Sequence, residues 1–318
     1  MIARLHHPSH PPMSVLVVGS IALDTVKTPL HEHADLLGGS ASYAAVAASF
    51  FSPVKLVGVV GTDFPAEHLS FLQGRNIDLA GLQHAEGKTF RWSGEYMLDM
   101  NTRETRSVDL NVFEHFTPTL PASFTDTPFV LLANIAPSLQ GHVLDQISRA
   151  QFVIADTMDL WINIARPDLE ALLKRVDMLI LNDGEARQLT GEHNLISAGH
   201  HIRAMGPRYV ALKKGEHGCL LFGPDGEFFS CAAFPLENLH DPTGAGDTFA
   251  GGLAGYLAAH TTGPITFAQL KHAVVNGSVL ASFNVEAFSL ERLRTLQQED
   301  IQHRYEAFRL LSQFELSR

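Results

Sequence analysis

Cysteine is almost missing from this chain. Only Cys219 and Cys231 occur among 318 residues, without a C-x-x-C spacing, which excludes a disulfide framework and suits a reducing cytoplasm. Positive charge is also scarce. Against 34 Asp and Glu there are 23 Lys and Arg, a formal charge of -11, whereas a surface made for DNA or RNA would be basic. Nucleic acid is thereby excluded as the main partner, while a local pocket for a nucleotide is not. No window holds eighteen uninterrupted apolar residues, so no spanning helix and no membrane partner are expected. The 17 histidines are scattered, none in an H-E-x-x-H arrangement, and read as surface or loop residues. A dehydrogenase fingerprint, G-x-G-x-x-G after the first strand, is missing as well: Gly19-Ser20-Ile21-Ala22 stands there.

What is present is an ordinary globular composition, 45% apolar and 18% charged, with enough length for one large α/β domain and a small attachment. Residues 1–12 are rich in His and Pro and lack the apolar stretch of a signal peptide, so they read as a disordered extension. Short apolar runs at 15–18, 55–60, 129–132, 152–155 and 178–181 read as buried strands. Stretches between them suit helices, including a small-residue pattern at 41–51 and an amphipathic one at 243–260. Alternating strands and helices imply a mostly parallel sheet with helices on both faces. Runs at 209–212 and 218–222 flank a Gly-containing turn and read as a strand pair. Over 90–100 the apolar residues fall on even positions, among them Phe90, Trp92, Tyr96, Leu98 and Met100. That alternation predicts a strand with one wet face, outside the central sheet.

The segment that carries most chemistry is Asp241-Pro242-Thr243-Gly244-Ala245-Gly246-Asp247, followed by Thr248-Phe249-Ala250-Gly251-Gly252. Gly244, Ala245 and Gly246 are small enough for their amides to approach an anion, and the helix behind them aims its positive end at the same point. Asp247, at the helix start, either caps it or takes a proton from a substrate hydroxyl. Gly251, Gly252 and Gly255 are expected to let the helix pack closely on the sheet. Asn182-Asp183-Gly184-Glu185 follows a strand and opens a helix, which suits either an N-cap or a site near Mg²⁺, a cation that prefers hard oxygen ligands.

The run 241–252 resembles the C-terminal signature of the ribokinase-like sugar kinases, the PfkB carbohydrate kinase family. That resemblance implies a three-layer α/β/α sandwich with a mostly parallel central sheet and a small β lid. Residues 13–318 then form a single kinase domain, with the lid drawn from about 21–37 and 88–112. It implies ATP and Mg²⁺ as cofactors and transfer of the γ-phosphoryl group to a hydroxyl of a sugar or nucleoside-like substrate. Asp247 becomes the base, and Gly244, Ala245 and Gly246 the anion hole. Asn182 and Glu185 match the family's N-x-x-E motif, with Glu185 reaching Mg²⁺ through water. Asp241 takes a position that in some members serves a monovalent cation such as K⁺.

Further cofactor-binding residues implied are Thr243, Lys213, Gly215 and Gly218, with Asn276 beside the adenine. An exposed hairpin lysine is the competing reading of Lys213. Asp24 resembles the family's acceptor-binding Asp, and Gly38-Gly39 its di-glycine. Tyr43 departs from the pattern: many members have an asparagine four residues beyond the second glycine. A phenol in place of an amide argues against ribose itself. Asn134 and Asp156 follow strands where open α/β sheets bind ligands. Arg91 and Trp92 sit on the expected lid, touching ligand or stabilising the lid or a dimer contact. A homodimer through the lid is a further expectation. A ligand-binding regulator that kept the fold and lost transfer is the alternative.

Overall fold

The computed structural model describes residues 11–313, so residues 1–10 of the expected extension lie outside the described residues. Nine strands form the main sheet and four a smaller one. In chain order the strands are β1 (Val15–Val18), β2 (Ala22–Lys27), β3 (Glu32–Gly38), β4 (Val54–Val60), β5 (Ile77–His84), β6 (Phe90–Tyr96) and β7 (Arg103–Asp109). Then follow β8 (Phe129–Leu132), β9 (Phe152–Asp156), β10 (Met178–Asn182), β11 (Tyr209–Lys213), β12 (Cys219–Phe222) and β13 (Phe228–Cys231). The helices are α1 (Ser40–Ala48), α2 (Ala66–Gln73), α3 (Pro137–Gln146), α4 (Asp159–Ile164), α5 (Arg166–Leu173) and α6 (Asp183–Thr190). The remaining ones are α7 (Leu195–Ala204), α8 (Ala245–His260), α9 (Phe267–Asn284), α10 (Glu291–Thr295) and α11 (Gln298–Leu311). No helix among the described residues is long and apolar enough to cross a membrane.

The main sheet runs β13-β12-β11-β10-β9-β8-β1-β4-β5. It is parallel from β11 to β5, and antiparallel where β12 and β13 join. Its central strands are apolar on both faces because both are covered. Val15 and Val17 point into one layer, with residues of α1, α8, α9 and α11. Leu16 and Val18 point into the other, with residues of α3 to α7. The result is the expected three-layer α/β/α sandwich. The glycines of α8 do their work elsewhere than expected. A methyl group at Gly251 would lie 2.1 Å from the carbonyl oxygen of Ala44, and one at Gly255 2.6 Å from that of Ala48. Their bareness lets α8 press against α1, while Gly252 faces Leu280 of α9.

The smaller sheet, β3-β2-β6-β7, is antiparallel except for the β2–β6 pair. The strand expected over 90–100 stops at Tyr96. Asp99 accepts hydrogen bonds from the N–H groups of Asn101 and Thr102, and Met100 takes a positive φ of 55°. This side-chain-capped turn reverses the chain, leaving Leu98 89% exposed.

Candidate active site

The consecutive parallel strands β9, β10 and β11 end side by side, at Asp156, Asn182 and Lys213. Carboxyl ends of neighbouring strands are where an open α/β sheet leaves a crevice. Helix α8 begins against the same place. A methyl group on Gly246 would lie 2.9 Å from the Lys213 Nζ.

Gly244 is the N-cap of α8 and adopts the left-handed conformation, φ 74°. A side chain there would be strained, and its Cβ would also come within 2.4 Å of the Tyr43 ring. Among the described residues no side-chain oxygen caps this helix. Its first amides are therefore the ready partners for an anion. The turn before it is fastened from below. Asp241, 0% exposed, accepts hydrogen bonds from the N–H groups of Thr243 (2.8 Å) and Ser289 (3.0 Å). Asn284 Nδ2 donates to the Thr243 carbonyl at 2.8 Å, and its Oδ1 accepts from Thr248 Oγ1 at 3.2 Å. Asp241, expected near a monovalent cation, thus has both oxygens engaged by backbone amides.

Asp247 stands in the first turn of α8 and is partly exposed. Burial, and then the charge of Asp156, push its carboxyl up to about 7, against the pull of Lys213 and Arg103. Asp156 is 5% exposed and faces the Lys213 ammonium at 3.4 Å. Burial raises the Asp156 carboxyl, with Lys213 opposing. For Lys213, burial acts to lower the ammonium, but the carboxylates of Asp156, Glu185 and Asp247 leave it raised. Its side chain is 19% exposed. The hairpin lysine is thus drawn into the crevice by charge.

Glu185 and Asn182 form a reciprocal cap on α6. The Asn182 N–H donates to Glu185 Oε2 at 2.7 Å, and the Glu185 N–H to Asn182 Oδ1 at 2.8 Å. Burial pushes the Glu185 carboxyl up to about 7, with Lys213 opposing and Asp156 adding to it. Cap and charge cluster coexist in one motif. Gly215 and Gly218 shape the turn after β11, each at positive φ. Asn276 lies buried in α9, its Nδ2 donating to the His272 carbonyl at 2.9 Å. Its Oδ1 has no hydrogen-bond partner among the described residues.

On the opposite side Asp24, 4% exposed on β2, is pushed up to about 8 by burial and by Asp241, with the Gly39 N–H opposing. A methyl group on Gly38 would fall 1.9 Å from the Asp24 carboxylate. The first glycine of the pair is thus what admits this carboxylate. Tyr43, 1% exposed on α1, lies with its ring against the Gly244 turn. Arg91 pairs with Asp35 of β3 and, at 3.1 Å, with Asp63 in the loop after β4, so its charge is already matched. Asn134 Oδ1 accepts from the Trp161 indole Nε1 at 2.8 Å.

The structure brings Asp247, Gly244, Ala245, Gly246, Lys213 and Glu185 around one crevice. Asp24, Gly38, Gly39 and Tyr43 converge on it from the other side, linked through Asp241. Sequence reasoning missed Tyr96, whose hydroxyl accepts from Thr243 Oγ1 at 3.2 Å, and Ser289, whose hydroxyl donates to the Leu37 carbonyl at 2.5 Å. Each ties the smaller sheet to the turn before α8. The alternation over 90–100 was the one available signal for Tyr96; nothing near Ser289 offered one. Among the described residues no three His, Cys, Asp or Glu side chains gather as a metal cage. Mg²⁺ needs none, since it keeps waters and shares phosphate oxygens with one or two carboxylates.

Comparison with known proteins falls on the same span. Residues 16–293 match the model of the pfkB family carbohydrate kinases. The cytidine kinase of Thermococcus kodakarensis is 31% identical over 256 residues, covering 77% of this chain and 88% of that protein. Among solved structures, the nucleoside kinase of Methanocaldococcus jannaschii, described as an archaeal member of the ribokinase family, superposes with a TM-score of 0.75. It shares 19% identity over 94% of this chain and 100% of that one. A putative ribokinase II from E. coli, in complex with ATP and Mg²⁺, superposes with a TM-score of 0.75 at 15% identity, over 94% and 99%. At such identities the likeness establishes the fold.

Proposed function

The chain belongs to the pfkB family of carbohydrate kinases, phosphotransferases with an alcohol group as acceptor, and on that premise we propose that it phosphorylates a hydroxyl of a nucleoside, with Asp247 as general base. The observation that carries the reading is the pairing of an uncapped helix start behind left-handed Gly244 with the Asp247 carboxyl one turn on. A carboxyl held near pH 7 accepts a proton from a hydroxyl more readily than an ordinary one. The amides of residues 244–246 face the position where negative charge grows.

The residues present fit ATP and Mg²⁺. The uncapped amides suit phosphate oxygens, Lys213 adds a fixed cation beneath Gly246, and Asn276 holds an unpartnered Oδ1. Glu185 commits one oxygen to its cap, and its other oxygen would hold Mg²⁺ through water. Bound ATP with Mg²⁺ supplies the γ-phosphoryl group that ends on the acceptor oxygen, with ADP leaving and one proton passing to Asp247. Asp24, on the opposite wall, would hold acceptor hydroxyls in place for that proton transfer.

The nucleoside assignment rests on the cytidine kinase relative; Tyr43, which stands where many family members are expected to carry asparagine, argues only against ribose. A panel of nucleosides, pentoses, hexoses and inositols incubated with Mg·ATP tests it. A nucleoside monophosphate as the dominant product is expected. A phosphorylated free sugar with no nucleoside product would reverse the assignment while leaving the kinase.

A further inference from the structure

The strands of the smaller sheet carry four Lys or Arg side chains: Lys27, Arg91, Arg103 and Arg106. Three are neutralised by carboxylates of the sheet or of the loop after β4. Lys27 and Arg106 both pair with Glu95, and Arg91 pairs with Asp35 and Asp63. Among the described residues Arg103 forms no salt bridge with any carboxylate. Instead its guanidinium stands 5.2 Å over the Trp92 ring. An arginine stacked in this way keeps its charge while its plane is fixed.

The register of the sheet decides where that charge points. Arg103 is the cross-strand partner of Tyr96, and Tyr96 touches Thr243 in the turn before the anion-binding amides. The charge of Arg103 is felt by Asp24 on the acceptor wall and by Asp247 at the base, both of which it favours in their ionised forms. The crevice is acidic, with Asp24, Asp156, Glu185, Asp241 and Asp247 gathered there. Its one buried cation, Lys213, is already matched by Asp156. A polyanion entering such a crevice needs a positive charge that is not already paired, and a planar fork of N–H donors matches phosphoryl oxygens better than a point charge.

We propose that Arg103 is the cation which the lid contributes to the phosphoryl group in transfer, binding its oxygens while the acceptor hydroxyl gives its proton to Asp247. The inference rests on the kinase reading above and adds a residue on a different element to it.

The test titrates the full chain and its Arg103→Gln variant with Mg·ADP alone, then with aluminium fluoride added as a phosphoryl mimic. Mg·ADP should bind both to within about twofold. The fluoride anion should bind the variant at least ~10-fold more weakly, as expected for loss of a charge-assisted hydrogen bond. Arg103→Lys should recover part of that loss. In steady state with the best nucleoside acceptor, kcat should fall about 10²-fold, with KM for the nucleoside within about threefold, a split that marks a contact made mainly in the transition state. Equal fluoride binding by both proteins overturns the proposal, and so does a change confined to KM, which would place Arg103 on the acceptor. A parent protein that binds no Mg·ADP would instead sink the kinase reading, and this inference with it. Arg103 is exposed on an edge strand, so the variant should melt within a few degrees of the parent.

Discussion

Gly244 is the residue at which backbone and side-chain constraints meet. Its φ of 74° is costly for any other residue, and a Cβ would collide with the Tyr43 ring. Gly244→Ala should destabilise the chain by about 1–3 kcal/mol, the range for a special backbone position, and should lower turnover by more than that loss of folded protein explains. Denaturant titration beside initial rates checks both. An alanine that is tolerated in both measurements would mean that the turn is not held as described.

Asp24 allows a sign to be worked out. Its folded carboxyl is raised to about 8, well above its value in an unfolded chain. The proton is thus held more tightly in the folded state. The stability this provides is complete below about pH 4 and is lost as pH rises toward 8. Asp24→Asn removes the titration, so its melting temperature should decline less than that of the parent between pH 4 and pH 8. Parallel curves for the two proteins would show that Asp24 ionises freely.

At the scale of elements, legibility followed burial. The apolar runs of β1 and β8 carried their own boundaries, because strands covered on both faces read as uninterrupted hydrophobic stretches. Strand β7, Arg-Glu-Thr-Arg-Ser-Val-Asp, is exposed along its whole length and has no apolar period to read. Arg103 went unnoticed for that reason. The N-x-x-E segment of α6 was legible twice over, as a cap and as a metal-site motif; the structure shows the cap, and the metal role is part of the proposed function. Glu185→Gln separates them. Glutamine can still accept the Asn182 N–H, so the melting temperature should stay within a few degrees. The Mg²⁺ concentration for half-maximal rate should rise at least ~10-fold, since a charged oxygen is lost near a hard cation. An unchanged Mg²⁺ dependence would reduce the motif to a helix cap.

For the whole molecule, the main and smaller sheets meet at the turn before α8. Thr243 contacts Tyr96 of β6, Ser289 joins Asp241 to the end of β3, and Asn101 beyond β6 reaches Glu216 in the turn after β11 at 3.5 Å. The motifs around 182–185 and 241–247 were readable because they lie within short spans of chain. The links to Tyr96, Asn284 and Ser289 were not, because each joins residues that only folding brings together. Lys213 shows the same limit: its sequence neighbours suggest an exposed turn, whereas the carboxylates that face it, Asp156, Glu185 and Asp247, all lie far from it in the chain.

In the proposed function, the Asp247 carboxylate removes a proton beside amides that receive phosphate. Single-turnover transfer from γ-labelled Mg·ATP to the best nucleoside acceptor, by the parent and by Asp247→Asn, measures that step alone. A fall of at least ~10²-fold in transfer, with Mg·ATP affinity little changed, is the expected result. Transfer by the asparagine variant at close to the parent rate would contradict it.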